Sequence, residues 1–245
     1  MGLEEAEAHR YARESGTSKA AVKAAKGLAI PYMKLIYALK IDGAERIPAE
    51  GPVIIAPNHK SFWDAFFVAA ATRRPIRFMG KSELFEGPGG RMLIRLGAFP
   101  VRRGGSDAEA IETARRILRD GGLLALFPEG TRVRDPAGLG RPHKGAARLA
   151  LETGATIVPA AITGTERLFA GPLPRPGRVR VSFGEPIEVR PGEPTPEAAG
   201  ALLEGEVWPE VERERERLLS HPGVIAAGLA ALGIGVGVAA KRRRR

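Results

Sequence analysis

The sequence predicts an α/β fold: a mixed central sheet flanked by helices, with an N-terminal amphipathic helical pair and a C-terminal hydrophobic tail. Three observations carry this. A continuous apolar run at 52–57 fits a strand buried on both faces, and further short strands read at 76–79, 98–101, 123–127 and 156–162. Segments with helical signals alternate with them, which implies a layered sheet. The two ends of the chain differ in character from this middle, which divides it into a helical segment (1–44), an α/β domain (45–220) and a tail (221–245).

The elements follow in order. Residues 19–41 read as a basic amphipathic helix, with Lys19, Lys23, Lys26 and Lys34 among Val22, Leu28, Ile30, Met33, Leu35 and Ile36. Pro31 is expected to kink or split it. Such a stretch suits an anionic bilayer, or a helix packed on its own domain. A helix is expected from Ser61 to about Thr72, and a broken one over 82–96 because of Gly87-Pro88-Gly89-Gly90. Residues 107–119 form a helix, with Ser106 or Asp107 as N-cap and Gly121-Gly122 beyond its end. Lys144–Glu152 is another. The alternation of charged and apolar residues from Arg178 to Phe183 reads as an edge strand, and Pro196–Leu219 as a polar, charge-laced helix.

Composition narrows the function. With 245 residues the chain can bury a sizeable core. It has no cysteine, which excludes disulfides, thiolate metal sites and a cysteine nucleophile. Four histidines and no H-E-x-x-H string leave little for a metal cluster, so no metal is expected. A net charge of +10 suits nucleic acid, anionic lipid or a polyphosphate group. Aromatics are only 6% and do not interleave with Lys/Arg, so nucleic acid is not expected and membrane or phosphate partners are.

The tail, Val224–Ala240, is 17 residues without charge, followed by Lys241-Arg242-Arg243-Arg244-Arg245. As a helix it would reach only about 25 Å, against a hydrocarbon core of about 30 Å. A tail anchor, a shallow insertion and a disordered tail compete; membrane insertion is the expectation, with the basic run at an anionic cytoplasmic face.

The strings that carry chemistry all follow strands. Asn58-His59-Lys60-Ser61-Phe62-Trp63-Asp64 comes directly after the apolar run 52–57. A carboxylate on one imidazole nitrogen fixes the tautomer and leaves the other nitrogen to take a proton. Ser61-x-x-Asp64 also fits a helix capping box, with His59 an ordinary loop histidine. Phe127-Pro128-Glu129-Gly130-Thr131-Arg132 follows the run at 123–127. Gly130 permits close backbone approach, N–H groups exposed there suit an oxyanion or phosphate, and Arg132 is a forked cation. An ordinary turn with a local Glu–Arg pair is the alternative. Arg102 and Arg103 follow 98–101, and Lys81 follows 76–79; in open α/β sheets ligands bind at that strand edge. Two solvated arginines are the commoner fate of such a pair. Pro75 rules out a Walker motif at Gly80-Lys81-Ser82, and Ala108 rules out G-x-S-x-G at 104–108.

Together these strings resemble the glycerolipid acyltransferase family, the lysophosphatidate acyltransferases. The N-H-x-x-x-x-D motif is matched at Asn58, His59 and Asp64, and F-P-E-G-T-R from Phe127 to Arg132. G-x-x-F-x-x-R is matched at Gly97 and Arg103, with Phe99 one place early and Pro100 in its position. V-P-x-x-I is matched at Val158, Pro159 and Ile162. The resemblance covers roughly 45–190 and partly the N-terminal helices. It implies an acyl-CoA or acyl-acyl carrier protein donor as co-substrate, with no further cofactor, and a 1-acyl-sn-glycerol 3-phosphate acceptor at a membrane. His59 is then the base and Asp64 its orienter. Arg103, Arg132 and Lys81 hold the acceptor phosphate, and Glu129, Gly130 and Thr131 shape that site. Another lysophospholipid, glycerol 3-phosphate or an aminolipid is an alternative acceptor; a non-catalytic anionic-lipid-binding module is the alternative of another class.

Overall fold

Strands that are apolar at every position must lie inside a sheet covered on both sides, and that is where they are. The computed structural model of the chain describes residues 5–14, 17–87, 89–102, 107–135, 138–170 and 173–220. Its strands are β1 (Lys40–Asp42), β2 (Val53–Pro57), β3 (Ile76–Lys81), β4 (Ala98–Val101), β5 (Leu123–Ala125), β6 (Thr156–Thr163), β7 (Phe169–Ala170), β8 (Leu173–Pro174) and β9 (Arg180–Phe183). Seven form one sheet in the order β1-β9-β6-β2-β5-β3-β4, and β7 and β8 pair separately. Neighbours in the large sheet run parallel except β6 and β9, so it is mixed, as expected.

The helices are α1 (Glu5–Glu14), α2 (Lys19–Tyr37), α3 (Asp64–Ala71), α4 (Gly90–Arg95), α5 (Ala108–Arg119), α6 (Gly145–Thr153), α7 (Pro196–Leu202) and α8 (Trp208–Ser220). Alternation along β2 divides the core. Val53 and Ile55 pack with Met33 and Tyr37 of α2 and Phe67 of α3. Ile54 and Ala56 pack with Leu118 of α5, Ala147 of α6 and Leu202 of α7. Side chains in a strand alternate between faces, so one five-residue strand anchors both layers.

Three elements, α2, β9 and the segment 196–220, differ here from their sequence reading. The N-terminal helix ends at Tyr37 rather than 41, because Ala38 turns left-handed and Lys40–Asp42 leaves to pair with β9. Pro31 does not split α2; the helix runs through it, and the carbonyl that loses its partner belongs to exposed Gly27, within reach of water. β9 is not an edge strand: it lies between β1 and β6. Its alternation has another cause. Val181 and Phe183 face the core, while Ser182 faces α8 and bonds Glu214, which Arg217 also holds. A charged helix covers the polar face, so water does not have to. Lastly, 196–220 is two helices joined by a π-turn at Leu203–Val207, and Leu202, Leu203, Val207, Val211 and Leu218 bury one face of it. Among the described residues no helix is long and apolar enough to cross a membrane. The tail at 221–245 lies outside them.

The first helix docks through a buried polar contact. His9 of α1 is fully buried, its Nδ1 3.0 Å from Thr113 Oγ1 on α5, and Nε2 has no partner. Burial holds His9 below its ordinary 6.5; Glu109, Asp107 and Glu5 oppose this, and Arg13 adds to it. The folded state therefore prefers the neutral ring. Its contribution is complete above about pH 6.5 and declines as the pH falls towards the lowered value, because the unfolded chain takes the proton first. Thermal stability should drop from about pH 7.5 to about pH 5.5, and His9→Gln should flatten that slope. Equal slopes for the two proteins would remove His9 as the cause.

Candidate active site

Parallel strands joined by crossover helices bring their carboxyl ends to one edge. Here β2 delivers Asn58 and His59, β3 ends on Lys81, β4 leads to Arg102, and β5 leads to Phe127–Arg132. His59, Lys81, Arg102, Glu129, Gly130, Thr131 and Arg132 all line one cavity of about 780 Å³. Its remaining wall is mostly apolar and includes Ala29 and Met33 of α2, Phe66 of α3, Phe78, Phe85 and Leu93. Arg103 lies outside the described residues.

Asn58 explains why β2 stops where it does. Its amide nitrogen donates to Ile162 O at 3.1 Å, and its amide oxygen accepts from Ile162 N at 2.7 Å. A fully buried side chain thus imitates one more peptide of the β2–β6 ladder and frees the backbone to turn.

The turn is organised by Asp64, which is fully buried. Its Oδ2 accepts from Lys60 N at 2.6 Å and Ser61 N at 2.7 Å, and lies 2.9 Å from His59 Nδ1. Its Oδ1 accepts from Thr165 Oγ1 at 2.5 Å. The carboxylate serves only as an acceptor, so the network assigns the proton on the ring to Nδ1 and leaves Nε2 with a lone pair. The imidazole also stacks on Phe127, with centroids 4.1 Å apart. Only half of the capping box forms: Asp64 takes the Ser61 N–H, but Ser61 Oγ accepts from Trp63 N at 3.3 Å rather than from Asp64 N, and α3 starts at Asp64 rather than Ser61. Asp64 points back to the loop before the helix.

Glu129 lines the cavity, as expected of a residue that shapes it, but its carboxylate is turned to backbone. It is buried, with Oε2 accepting from His59 N at 2.6 Å and Oε1 from Gly140 N at 2.7 Å. Both oxygens are taken by backbone, so it joins the histidine turn to the loop carrying Arg132. Val133 N to His59 O at 2.9 Å adds to that joint. So does Lys60, whose ammonium donates to the carbonyls of Asp135 and Gly138; burial pulls its pKa down. Gly130 is needed for its positive φ of 64° and because a Cβ would come within 3.1 Å of the His143 ring. Its N–H, however, goes to Phe127 O at 3.0 Å and is not available to an anion. Lys81 pairs with Glu83 at 2.6 Å, and Arg102 with Glu5 at 3.3 Å and Asp107 at 3.9 Å, all with exposed cationic side chains. Arg132 is exposed at the cavity wall.

Two site residues escape sequence reasoning. Thr165 sits 101 positions from Asp64, in a turn that Gly164 opens at φ +87°. His143 lines the cavity against Gly130, and its N–H is held by Pro128 O at 2.8 Å. Thr165 follows the V-P-x-x-I run by three residues, which is the one local signal; His143 has none.

The family model described as Acyltransferase matches residues 38–163, about half of the chain and all of the strand-end motifs. The chain belongs to the acyltransferase family. The 1-acyl-sn-glycerol-3-phosphate acyltransferase of Bacillus subtilis is 30% identical over 154 residues, 61% of this chain and 73% of that protein. A chloroplastic enzyme of the same name from Arabidopsis thaliana is 30% identical over 158 residues, 62% of this chain but only 44% of its own length. The crystal structure of the 1-acyl-sn-glycerophosphate (LPA) acyltransferase PlsC from Thermotoga maritima superposes with a TM-score of 0.65 at 25% identity, covering 82% of this chain and 81% of that one.

Thr165→Val removes one donor from a buried carboxylate and keeps the shape. It should lower unfolding free energy by about 1–3 kcal/mol, measured by urea denaturation, while Thr165→Ser stays near the parent. No loss in the valine variant would mean that Asp64 does not depend on this contact.

Proposed function

We propose that this chain transfers a fatty acyl group from acyl-CoA or acyl-acyl carrier protein to 1-acyl-sn-glycerol 3-phosphate, giving phosphatidic acid at a membrane surface. One observation carries the reading: His59, with Nδ1 engaged by a buried Asp64, stands in the wall of a largely apolar cavity that also holds exposed cations. A base, room for an acyl chain and charge for a phosphate are the three things this transfer needs. The relatives named above support the acceptor.

The steps balance without a covalent enzyme intermediate. The acceptor hydroxyl gives its proton to His59 Nε2, and its oxygen attacks the thioester carbonyl. The tetrahedral oxyanion collapses, the C–S bond breaks, and the thiolate leaves with the proton from the imidazolium. Asp64 holds the ring and stabilises its charged state. Arg132, Arg103 and Lys81 are the proposed phosphate ligands, and the backbone amides of Thr131 and Arg132, which have no partner among the described residues, are assigned to the same task. Gly130 contributes space, and Glu129 acts by holding the two loops together rather than by touching the acceptor.

Membrane association rests on α2. It carries no acidic residue, and exposed Leu28, Pro31, Tyr32 and Leu35 lie among exposed Lys19, Lys23 and Lys34. The inner side of the same helix lines the cavity through Val22, Ala29 and Met33. A helix of this kind would separate lipid on one side from the reacting groups on the other. The basic run at 241–245 fits the cytoplasmic face.

Purified His59→Ala should lose roughly 10²–10⁴-fold in acyl transfer with an unchanged circular dichroism spectrum, followed as acceptor-dependent thiol release from acyl-CoA. Near-normal turnover by that variant would sink the mechanism. Run with lysophosphatidate, other lysophospholipids, glycerol 3-phosphate and an aminolipid, the same assay on the parent should favour lysophosphatidate.

A further inference from the structure

Most of the exposed large apolar side chains lie on α2, at the entrance to α3 and on the small β7–β8 ribbon. Leu28 and Leu35 of α2 are 80% and 82% exposed, far more than large apolar groups on an unpartnered helix require. The last turn of α2 is tied to the chain around the small β7–β8 ribbon: Gly177 N donates to Ile36 O at 3.1 Å and Tyr37 OH to Leu168 O at 3.4 Å. Phe169 of β7 and Leu173 of β8 are themselves 41% and 68% exposed. Phe169 lies 5.5 Å, centroid to centroid, from Trp63, which packs on Phe62 at 5.6 Å; both of these are 37% exposed at the entrance to α3. The ribbon belongs to neither face of the main sheet. Phe169 and Leu173 turn away from the core, and it is the neighbouring Leu168 that is buried there.

The charge around these side chains is mostly positive. Arg167 and Arg175 flank the ribbon and are exposed, Lys34 stands at the end of α2, and Glu166 is the only carboxylate between positions 160 and 180. Aromatic rings with a polar edge, aliphatic tips and a ring of cations match the boundary of an anionic bilayer, where apolar tips enter the acyl region and cations meet phosphates. Phe62 also lines the cavity that His59 lines.

We propose that the β7–β8 ribbon, with Phe62 and Trp63, is a second bilayer-inserting element that works with α2 to seat the His59 cavity on an anionic lipid surface. This rests on the membrane-surface reading above and adds to it the segment that fixes the seat beside the base. Insertion of Phe169 and Leu173 brings Trp63 to the acyl boundary with them.

The chain carries its own probe. Of its two tryptophans, Trp208 is in the core at 7% exposure, so a lipid-dependent emission change reports Trp63. Full-length protein mixed with phosphatidylglycerol/phosphatidylcholine vesicles should show a blue shift and quenching by lipids brominated on the acyl chain. In Phe169→Ser/Leu173→Ser that quenching should fall at least about tenfold, with an unchanged circular dichroism spectrum. Depth of Trp63 is the readout because other parts of the chain can hold it to vesicles. Absence of quenching in the parent, or equal quenching in the double variant, overturns the proposal. Turnover of a short-chain, monomeric lysophosphatidate separates the readings. Both proteins should process it equally, and failure of the parent to do so counts against acyl transfer while the fluorescence still judges the ribbon.

Discussion

The buried carboxylate of Asp64 is the interaction on which the site depends. Removing a carboxylate from water costs several kcal/mol unless its lone pairs are filled. Here they are filled by Lys60 N, Ser61 N, His59 Nδ1 and Thr165 Oγ1, which come from the loop after β2 and the turn after β6. Satisfying the charge therefore fixes the loop, the ring and the neighbouring turn together. The same four contacts that make the burial tolerable also decide which imidazole nitrogen faces chemistry.

A second layer of contacts makes this arrangement act as a unit. Glu129 accepts from the amide of His59 and from that of Gly140, while Lys60 donates to carbonyls of the loop following Arg132. The base and the loop bearing the cation are thus joined by buried, charge-assisted hydrogen bonds, each of the stronger kind. The proposed catalytic geometry is carried by two strand ends tied to each other. That is a physical reason for an acid in the F-P-E-G-T-R string that requires no contact with substrate.

Much of this was legible in the sequence, for identifiable reasons. β2 is legible because a strand buried on both faces has no polar positions, β3, β4 and β6 because they are short, mainly apolar runs, and α5 because Asp107 caps it and glycines end it. His59 and Asp64 were legible because their contact is local. Thr165 was not, since its partner is 101 residues away. The partners of Glu129 were not legible, because a carboxylate that binds backbone amides and one that binds ligand look the same in sequence. Which N–H groups of the string stay open is not legible either: only the turn shows that Phe127 O already uses that of Gly130. β9 was read as an edge because alternation tells that one face is polar, not whether water or a charged helix covers it.

The cavity and the outer surface share α2, with Met33 and Ala29 inward and Leu28 and Leu35 outward. The helix is thus a two-faced wall, and the strand-end cations lie along the same cavity. All of it presupposes that His59 offers Nε2 as the base. Nitrogen NMR of the His59 imidazole in the resting protein tests this most directly. The account predicts a protonated, pyrrole-type Nδ1 and an unprotonated, pyridine-type Nε2. A proton on Nε2 of the neutral ring would contradict it.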